Sequence, residues 1–294
     1  MKVTVLGCGA LGQLWLSAFF RHKHSVQGWL RVPKPFCTIT VINQHGVENS
    51  FQLPANNRQR LADSELLLVT LKAWQVSKEV QELLPQLRSD CAILLMHNGL
   101  GTKEEFPELV QPLLLGTTTH AAYSEEGKIY HISAGITSIG PGNVPAKSVD
   151  QLSAVLHQVL PKVTWHNNIV ASSWIKLAVN CVINPLSAIY ECRNGELEYY
   201  TDEIEAICRE VVIVMHYEGY YINYHLLLFY ICQVIRSTSG NISSMLQDIR
   251  AKRLSEIDYI NGYVLRRANA HGLRLPVNQR LFNIIKHKEQ NYKY

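Results

Sequence analysis

The sequence predicts an α/β N-terminal domain on a doubly wound parallel sheet, followed by an all-α C-terminal domain. Three observations carry this. Short apolar runs alternate with helical stretches through the first half of the chain. One of them, Glu65 to Leu71 (ELLLVTL), is nearly all apolar, as a strand buried on both faces requires. After Asn167 the runs lengthen and take on helical spacing throughout.

In chain order, Val3 to Leu6 is a β-branched run that stops at glycines and reads as a buried strand, and Leu11 to Phe20 reads as an apolar helix. Ser25 to Leu30, Glu65 to Leu71, Ala92 to Met96 and Leu113 to Thr117 are the next strands. Val76 to Leu87 is helical, and Lys103 to Val110 at least partly so. Ile129 to Ile139 adds antiparallel strands and Val163 to His166 one more. Beyond them Ser172 to Ile189, Asp202 to Glu218, His225 to Ile235, Ile242 to Ala270 and Gln279 to Lys288 read as helices, punctuated by Gly219, Gly240, Gly272 and Pro276. The expected domains are 1–167 and 168–294.

The 294 residues suit two domains, and 47% hydrophobic with 18% charged residues is the balance of a folded soluble protein. Each half carries 14 basic and 12 acidic residues, so neither is a basic module and nucleic acid is not an expected partner. Lys286, His287 and Lys288 beside Glu289, with Lys293 beyond, read as a solvated helix end. Seven scattered cysteines without a C-x-x-C pair read as free thiols of a reducing cytosol. No H-E-x-x-H occurs, and no metal is expected. The N-terminus is broken by glycine too soon for a signal peptide, and no run reaches the roughly 18–20 apolar residues of a bilayer span. The expected location is the cytoplasm, without a membrane partner.

Gly7-Cys8-Gly9-Ala10-Leu11-Gly12 is G-x-G-x-x-G between a strand and a helix, the context in which that motif binds a dinucleotide in a Rossmann-type fold. Gly7 permits the turn, Gly9 lets the pyrophosphate reach the backbone, and Gly12 lets helix and strand pack closely. An NAD site places Asp or Glu at the end of the second strand. Here that place holds Leu30-Arg31-Val32, and the first acidic residue of the chain is Glu48. An arginine fork pairs with a 2′-phosphate that a carboxylate would repel, so Arg31 points to NADP(H). Lys72, just past the ELLLVTL strand, is placed to add a second charge.

Met96-His97-Asn98-Gly99-Leu100-Gly101 closes another buried strand, and two glycines beside an asparagine let backbone and amide approach a ligand. In the apolar helix after residue 172, Lys176, Asn180 and Asn184 recur every four residues. They fall within about 80° of one face and about 12 Å of length, a polar stripe sized for a small molecule. Pro185 is expected to end or kink the helix near Asn184. Substrate in a cleft between the domains would partner the stripe, and a partly desolvated lysine there could protonate a ketone oxygen as hydride arrives at carbon.

These segments, with Asn180-Cys181-Val182-Ile183-Asn184-Pro185-Leu186, Asn194-Gly195-Glu196-Leu197 and Ser243-Ser244-Met245-Leu246-Gln247-Asp248, resemble ketopantoate reductase (2-dehydropantoate 2-reductase) over nearly the whole chain, enterobacterial members most closely. The resemblance implies a C-terminal domain like that of 6-phosphogluconate dehydrogenase. It also implies NADPH-dependent reduction of 2-dehydropantoate to (R)-pantoate on the route to pantothenate and coenzyme A, by a monomer or a homodimer. Lys176 matches the family's proton donor, and Asn98, Asn180, Asn184, Asn194 and Ser244 match positions around the substrate. Glu256, in Ser255-Glu256-Ile257-Asp258, matches a glutamate at the cofactor–substrate junction; taken alone it would read as an exposed helix carboxylate. Asn98, Arg31, Lys72 and the backbone near Ala122 match cofactor contacts, with the Gly7 to Gly12 turn. Tyr217 to Ile231 departs from the family pattern in its tyrosines and aliphatics and is expected to expose an apolar patch that favours self-association. Two other readings are a related reductase of a different 2-oxo or 3-hydroxy acid, and a regulator that binds NADPH without turnover.

Overall fold

A computed structural model describes residues 1–290 and 292, so Asn291, Lys293 and Tyr294 lie outside the described residues. The chain divides into two units, one of Met1–His97 with Lys103–Val170, the other of Asn98–Thr102 with the chain from Ala171 on.

The first unit is α/β. Its strands are β1 (Lys2–Leu6), β2 (Ser25–Trp29), β3 (Phe36–Ile42), β4 (Glu48–Pro54), β5 (Leu66–Val69), β6 (Ala92–Leu95), β7 (Leu113–Thr118), β8 (Ala121–Glu125), β9 (Lys128–Ser133), β10 (Thr137–Pro141) and β11 (Val163–Trp165). Seven form one sheet in the order β11-β10-β7-β6-β5-β1-β2. Val3 stands opposite both Val26 and Leu66, which fixes β1 between parallel neighbours. The sheet is parallel except where β10 meets β7. Alternate residues feed opposite faces: Leu66 and Leu68 pack into one apolar cluster, Leu67 and Val69 into another. The first cluster takes Leu14, Trp15 and Leu16 of α1 (Ala10–Arg21), and the second Val76 and Val80 of α3 (Ala73–Leu83). Between these, α2 (Arg58–Ala62) is one short turn capped by the Asn57 side chain.

A second sheet, ordered β4-β3-β9-β8, is foreseen only at β9, within the antiparallel strands expected over Ile129 to Ile139; β3, β4 and β8 are absent from the sequence reading. Its strands are half-exposed, with only Ile39 and Val41 buried in β3, so they lack the solid apolar runs that mark the main sheet. The helix α4 (Leu152–Val159) is likewise unforeseen, and the expected helix over 103–110 is only a 3₁₀ turn at Thr102–Glu105.

The second unit is helical: α5 (Ile169–Tyr190, from Ala171 on), α6 (Thr201–Tyr217), α7 (Tyr224–Ser237), α8 (Ser244–Arg250), α9 (Asn261–Ala270) and α10 (Pro276–Glu289). Three expectations change here. The helix expected over 242–270 is interrupted. After α8 the chain turns at Lys252, whose φ is +51°, and Arg253 N–H donates back to the Asp248 carbonyl at 2.9 Å. The interruption frees 251–260, the stretch that carries Glu256, from α-helical geometry, leaving only a 3₁₀ turn at Ile257–Tyr259. Second, α5 runs through Pro185 to Tyr190. Third, α5 is long and apolar enough, by length and composition, to cross a bilayer; two-thirds of that stretch is buried inside the protein, as in a core helix. Tyr217, Tyr221, Leu226, Phe229 and Tyr230 are exposed, the apolar surface expected of the tyrosine-rich segment.

Candidate active site

In the first unit the glycine turn does what its spacing requires. Gly7 has φ +97°, and a Cβ there would meet Leu71 N at 2.9 Å. A Cβ on Gly12 would stand 1.9 Å from the Gly7 carbonyl oxygen and 2.6 Å from Thr70 Oγ1, so only glycine lets α1 close on β1. Thr70 Oγ1 donates to that same carbonyl at 2.5 Å. Around Gly9, by contrast, a Cβ would meet nothing within 4 Å. The N-terminus of α1 therefore opens onto free space with no acidic residue in its first turn, an arrangement that could hold an anion. Cys8, Ala10 and Leu11 pack half-buried against the core cluster that also receives Ala122 of β8. Arg31 is exposed in the turn after β2, and Lys72 is half-buried as the N-cap of α3.

The remaining predicted residues belong to the second unit, Asn98 included. Gly99 and Gly101 are required by packing. A Cβ on Gly99 would lie 2.2 Å from the Tyr259 carbonyl oxygen, and one on Gly101 2.9 Å from the Tyr263 ring. Leu100 N–H donates to that Tyr259 carbonyl at 2.8 Å. The close fit brings Asn98 onto Glu256: its backbone N–H and its Nδ2 donate to the two carboxylate oxygens at 3.3 and 2.9 Å. Glu256 is 4% exposed, a buried carboxylate where the sequence alone suggests a solvated one. Its placement comes from a neighbour, since Glu289 accepts the N–H of Ser255 at 2.7 Å. Glu289 is buried and ion-paired with Lys286, which also reaches Asp258 at 2.9 Å. The end of α10 thus packs inward at Glu289, correcting the expected solvated end.

Lys176 is half-buried on α5. Burial brings its pKa down to about 8, and the Glu256 carboxylate partly offsets that by pulling it up. On the same stripe Asn180 is half-buried and Asn184 buried, and among the described residues neither carboxamide is spent on a protein hydrogen bond. Asn194 heads the 3₁₀ turn Asn194–Tyr200; its Nδ2 donates to Thr238 Oγ1 at 2.9 Å, and its Oδ1 is buried without a partner. Ser244 is exposed as the first residue of α8. The preceding Ser243 caps that helix and lies 2.6 Å, oxygen to oxygen, from Ser187, whose Oγ is 3.1 Å from the Asn184 carbonyl oxygen. Asn184 and Ser244 are thereby tied together through two serines that sequence reasoning missed. Glu289 is a third omission. Each acts through a partner remote in sequence, so no local pattern announces it.

The description Ketopantoate reductase PanE/ApbA matches residues 3–143, and Ketopantoate reductase PanE/ApbA C terminal matches residues 168–289. A 2-dehydropantoate 2-reductase of Salmonella typhimurium is 56% identical over 292 residues, covering 99% of this chain and 96% of the relative. One of Yersinia pestis is 54% identical with the same coverage. The crystal structure of a PanE/ApbA family ketopantoate reductase from Ralstonia eutropha agrees with a TM-score of 0.88 at 23% identity, covering 100% of both chains, which establishes the shared fold.

Proposed function

The chain belongs to the ketopantoate reductase family, and from that premise we propose that it reduces 2-dehydropantoate to (R)-pantoate with NADPH in the cytoplasm, on the route to pantothenate and coenzyme A. It acts as a monomer or a homodimer whose ligands are this 2-oxo acid and its cofactor. The observation that carries the reading is the half-buried Lys176, with its pKa brought to about 8 and the Glu256 carboxylate acting on it.

At neutral pH Lys176 holds its proton, yet gives it up more readily than an ordinary lysine. Its ammonium would donate to the ketone oxygen of the substrate as that oxygen gains negative charge. Glu256 raises the pKa of the lysine against the effect of burial, and Asn98 holds the carboxylate through its backbone N–H and its Nδ2. Asn98 and Lys176 would both address the ketone oxygen, and Ser244 the carboxylate. The unspent carboxamides of Asn180 and Asn184 and the unpartnered Oδ1 of Asn194 suit the far hydroxyl, which both donates and accepts.

The residues present fit a dinucleotide: open space at Gly9, close packing at Gly7 and Gly12, and an arginine rather than a carboxylate after β2. The turn from Gly7 to Gly12 would hold the pyrophosphate, Arg31 with Lys72 the 2′-phosphate, and the backbone near Ala122 would make a further cofactor contact. NADPH supplies the hydride when bound. The test is to mix the protein with NADPH and 2-dehydropantoate, follow the loss of reduced-nicotinamide absorbance, and identify the product's configuration. Consumption of NADPH with (R)-pantoate formed is expected. Binding of NADPH without consumption would favour a sensor, and equal rates with 2-oxo acids lacking the distal hydroxyl would favour another reductase.

A further inference from the structure

We propose that Asn261 is a positioning residue for the substrate stripe: its carboxamide replaces the helical hydrogen bond that Pro185 deletes, and so keeps Asn184 in line with Lys176 and Asn180. The inference rests on the reading that Asn184 contacts substrate.

In an α-helix the N–H of residue 185 would serve the carbonyl of residue 181. Proline has no N–H, and its ring crowds that same carbonyl. Cys181 is 0% exposed, so water does not reach the site, and a buried carbonyl without a donor is costly. Asn261, the first residue of α9 and also 0% exposed, donates from Nδ2 to the Cys181 carbonyl at 3.1 Å. This is why α5 continues to Tyr190 where the sequence alone predicts an end or a kink.

The orientation of that carboxamide is dictated from farther off. Glu210 of α6 accepts the backbone N–H groups of Val277 and Asn278, each at 2.9 Å, and the Nδ2 of Asn278 at 2.8 Å. Asn278 must therefore turn its Oδ1 toward Asn261, whose Nδ2 donates to it at 2.9 Å. Asn261 faces two acceptors, the Cys181 carbonyl and Asn278 Oδ1, and spends one amide nitrogen on both. Its own Oδ1 is left buried without a partner. The relay Glu210–Asn278–Asn261 thus fixes a donor at the one helical carbonyl between Asn180 and Asn184 that the backbone cannot serve.

The test uses four full-length proteins: wild type, Asn261→Leu, Pro185→Ala and the double variant. Pro185→Ala returns a backbone donor to the Cys181 carbonyl. In the wild-type background Asn261→Leu should raise KM for 2-dehydropantoate about tenfold, the size of one lost buried hydrogen bond, with kcat and NADPH affinity changed less than about twofold. In the Pro185→Ala background the same substitution should raise KM less than about twofold. Equal increases in both backgrounds would overturn the proposal, as would no increase in either. Thermal unfolding midpoints of the same proteins give a second reading, in which Pro185→Ala should recover part of the loss caused by Asn261→Leu. If wild type fails to reduce 2-dehydropantoate, the functional reading falls, while the coupling of the midpoints still decides whether Asn261 serves that carbonyl; absence of coupling there overturns the proposal too.

Discussion

The glycine turn of the first unit and the lysine helix of the second would build the proposed ligand sites by opposite means. At the turn the site is made of what is missing: no side chain at Gly9, no Cβ at Gly12, no carboxylate after β2. At the second site it is made of what is added to an apolar core: an amine, three carboxamides and a buried carboxylate, with Glu256 and Asn194 held by side chains of other elements and the helix backbone by Asn261. A backbone-made site is local and can be read from spacing. A side-chain-made site is only as good as its distant partners.

The sharpest way to break this comparison is Lys176→Ala. It should cut turnover about a thousandfold, the usual scale of a lost general acid, and leave NADPH affinity unchanged in a direct titration. Normal turnover in that variant would remove the lysine from the chemistry. Next in size, Gly12→Val should destabilise the protein by about 3 kcal/mol in denaturant unfolding, because its Cβ would fall 1.9 Å from the Gly7 carbonyl oxygen. Gly9→Val meets no such neighbour. It should unfold like wild type and weaken NADPH binding at least about tenfold, since the blocked amides would lose a charge-assisted hydrogen bond. Equal destabilisation by the two valines would mean that the turn is merely structural. Arg31→Ala should narrow the preference for NADPH over NADH about tenfold in binding assays.

The smallest effect concerns pH. The donating form of Lys176 is the ammonium, so turnover should hold below about 8 and fall as pH rises through it. The Glu256 carboxylate raises the lysine pKa, so Glu256→Gln should move that limb to lower pH. A limb that stays in place would show that the carboxylate does not act on the amine.

The sequence makes the main sheet legible because its strands are apolar on both faces, and it makes the glycine turn legible because the motif sits between a strand and a helix. Of the second sheet only β9 is legible; β3, β4 and β8 are not, since half-exposed strands carry no continuous apolar run. Lys176, Asn180 and Asn184 are legible as a stripe; that the stripe survives Pro185 is not, because the rescue comes from Asn261, eighty residues away. Glu256 on its own reads as solvent-facing, and its burial depends on the break after α8 and on Glu289 at the end of α10. Such effects arise only once helices pack, so they leave no local trace in the chain.

Packing holds one amine partly dry beside a carboxylate. The most direct test is NMR titration of the Lys176 ε-amine, assigned by its loss in Lys176→Arg. The account predicts a midpoint near 8; a midpoint at the ordinary 10.5 would contradict it.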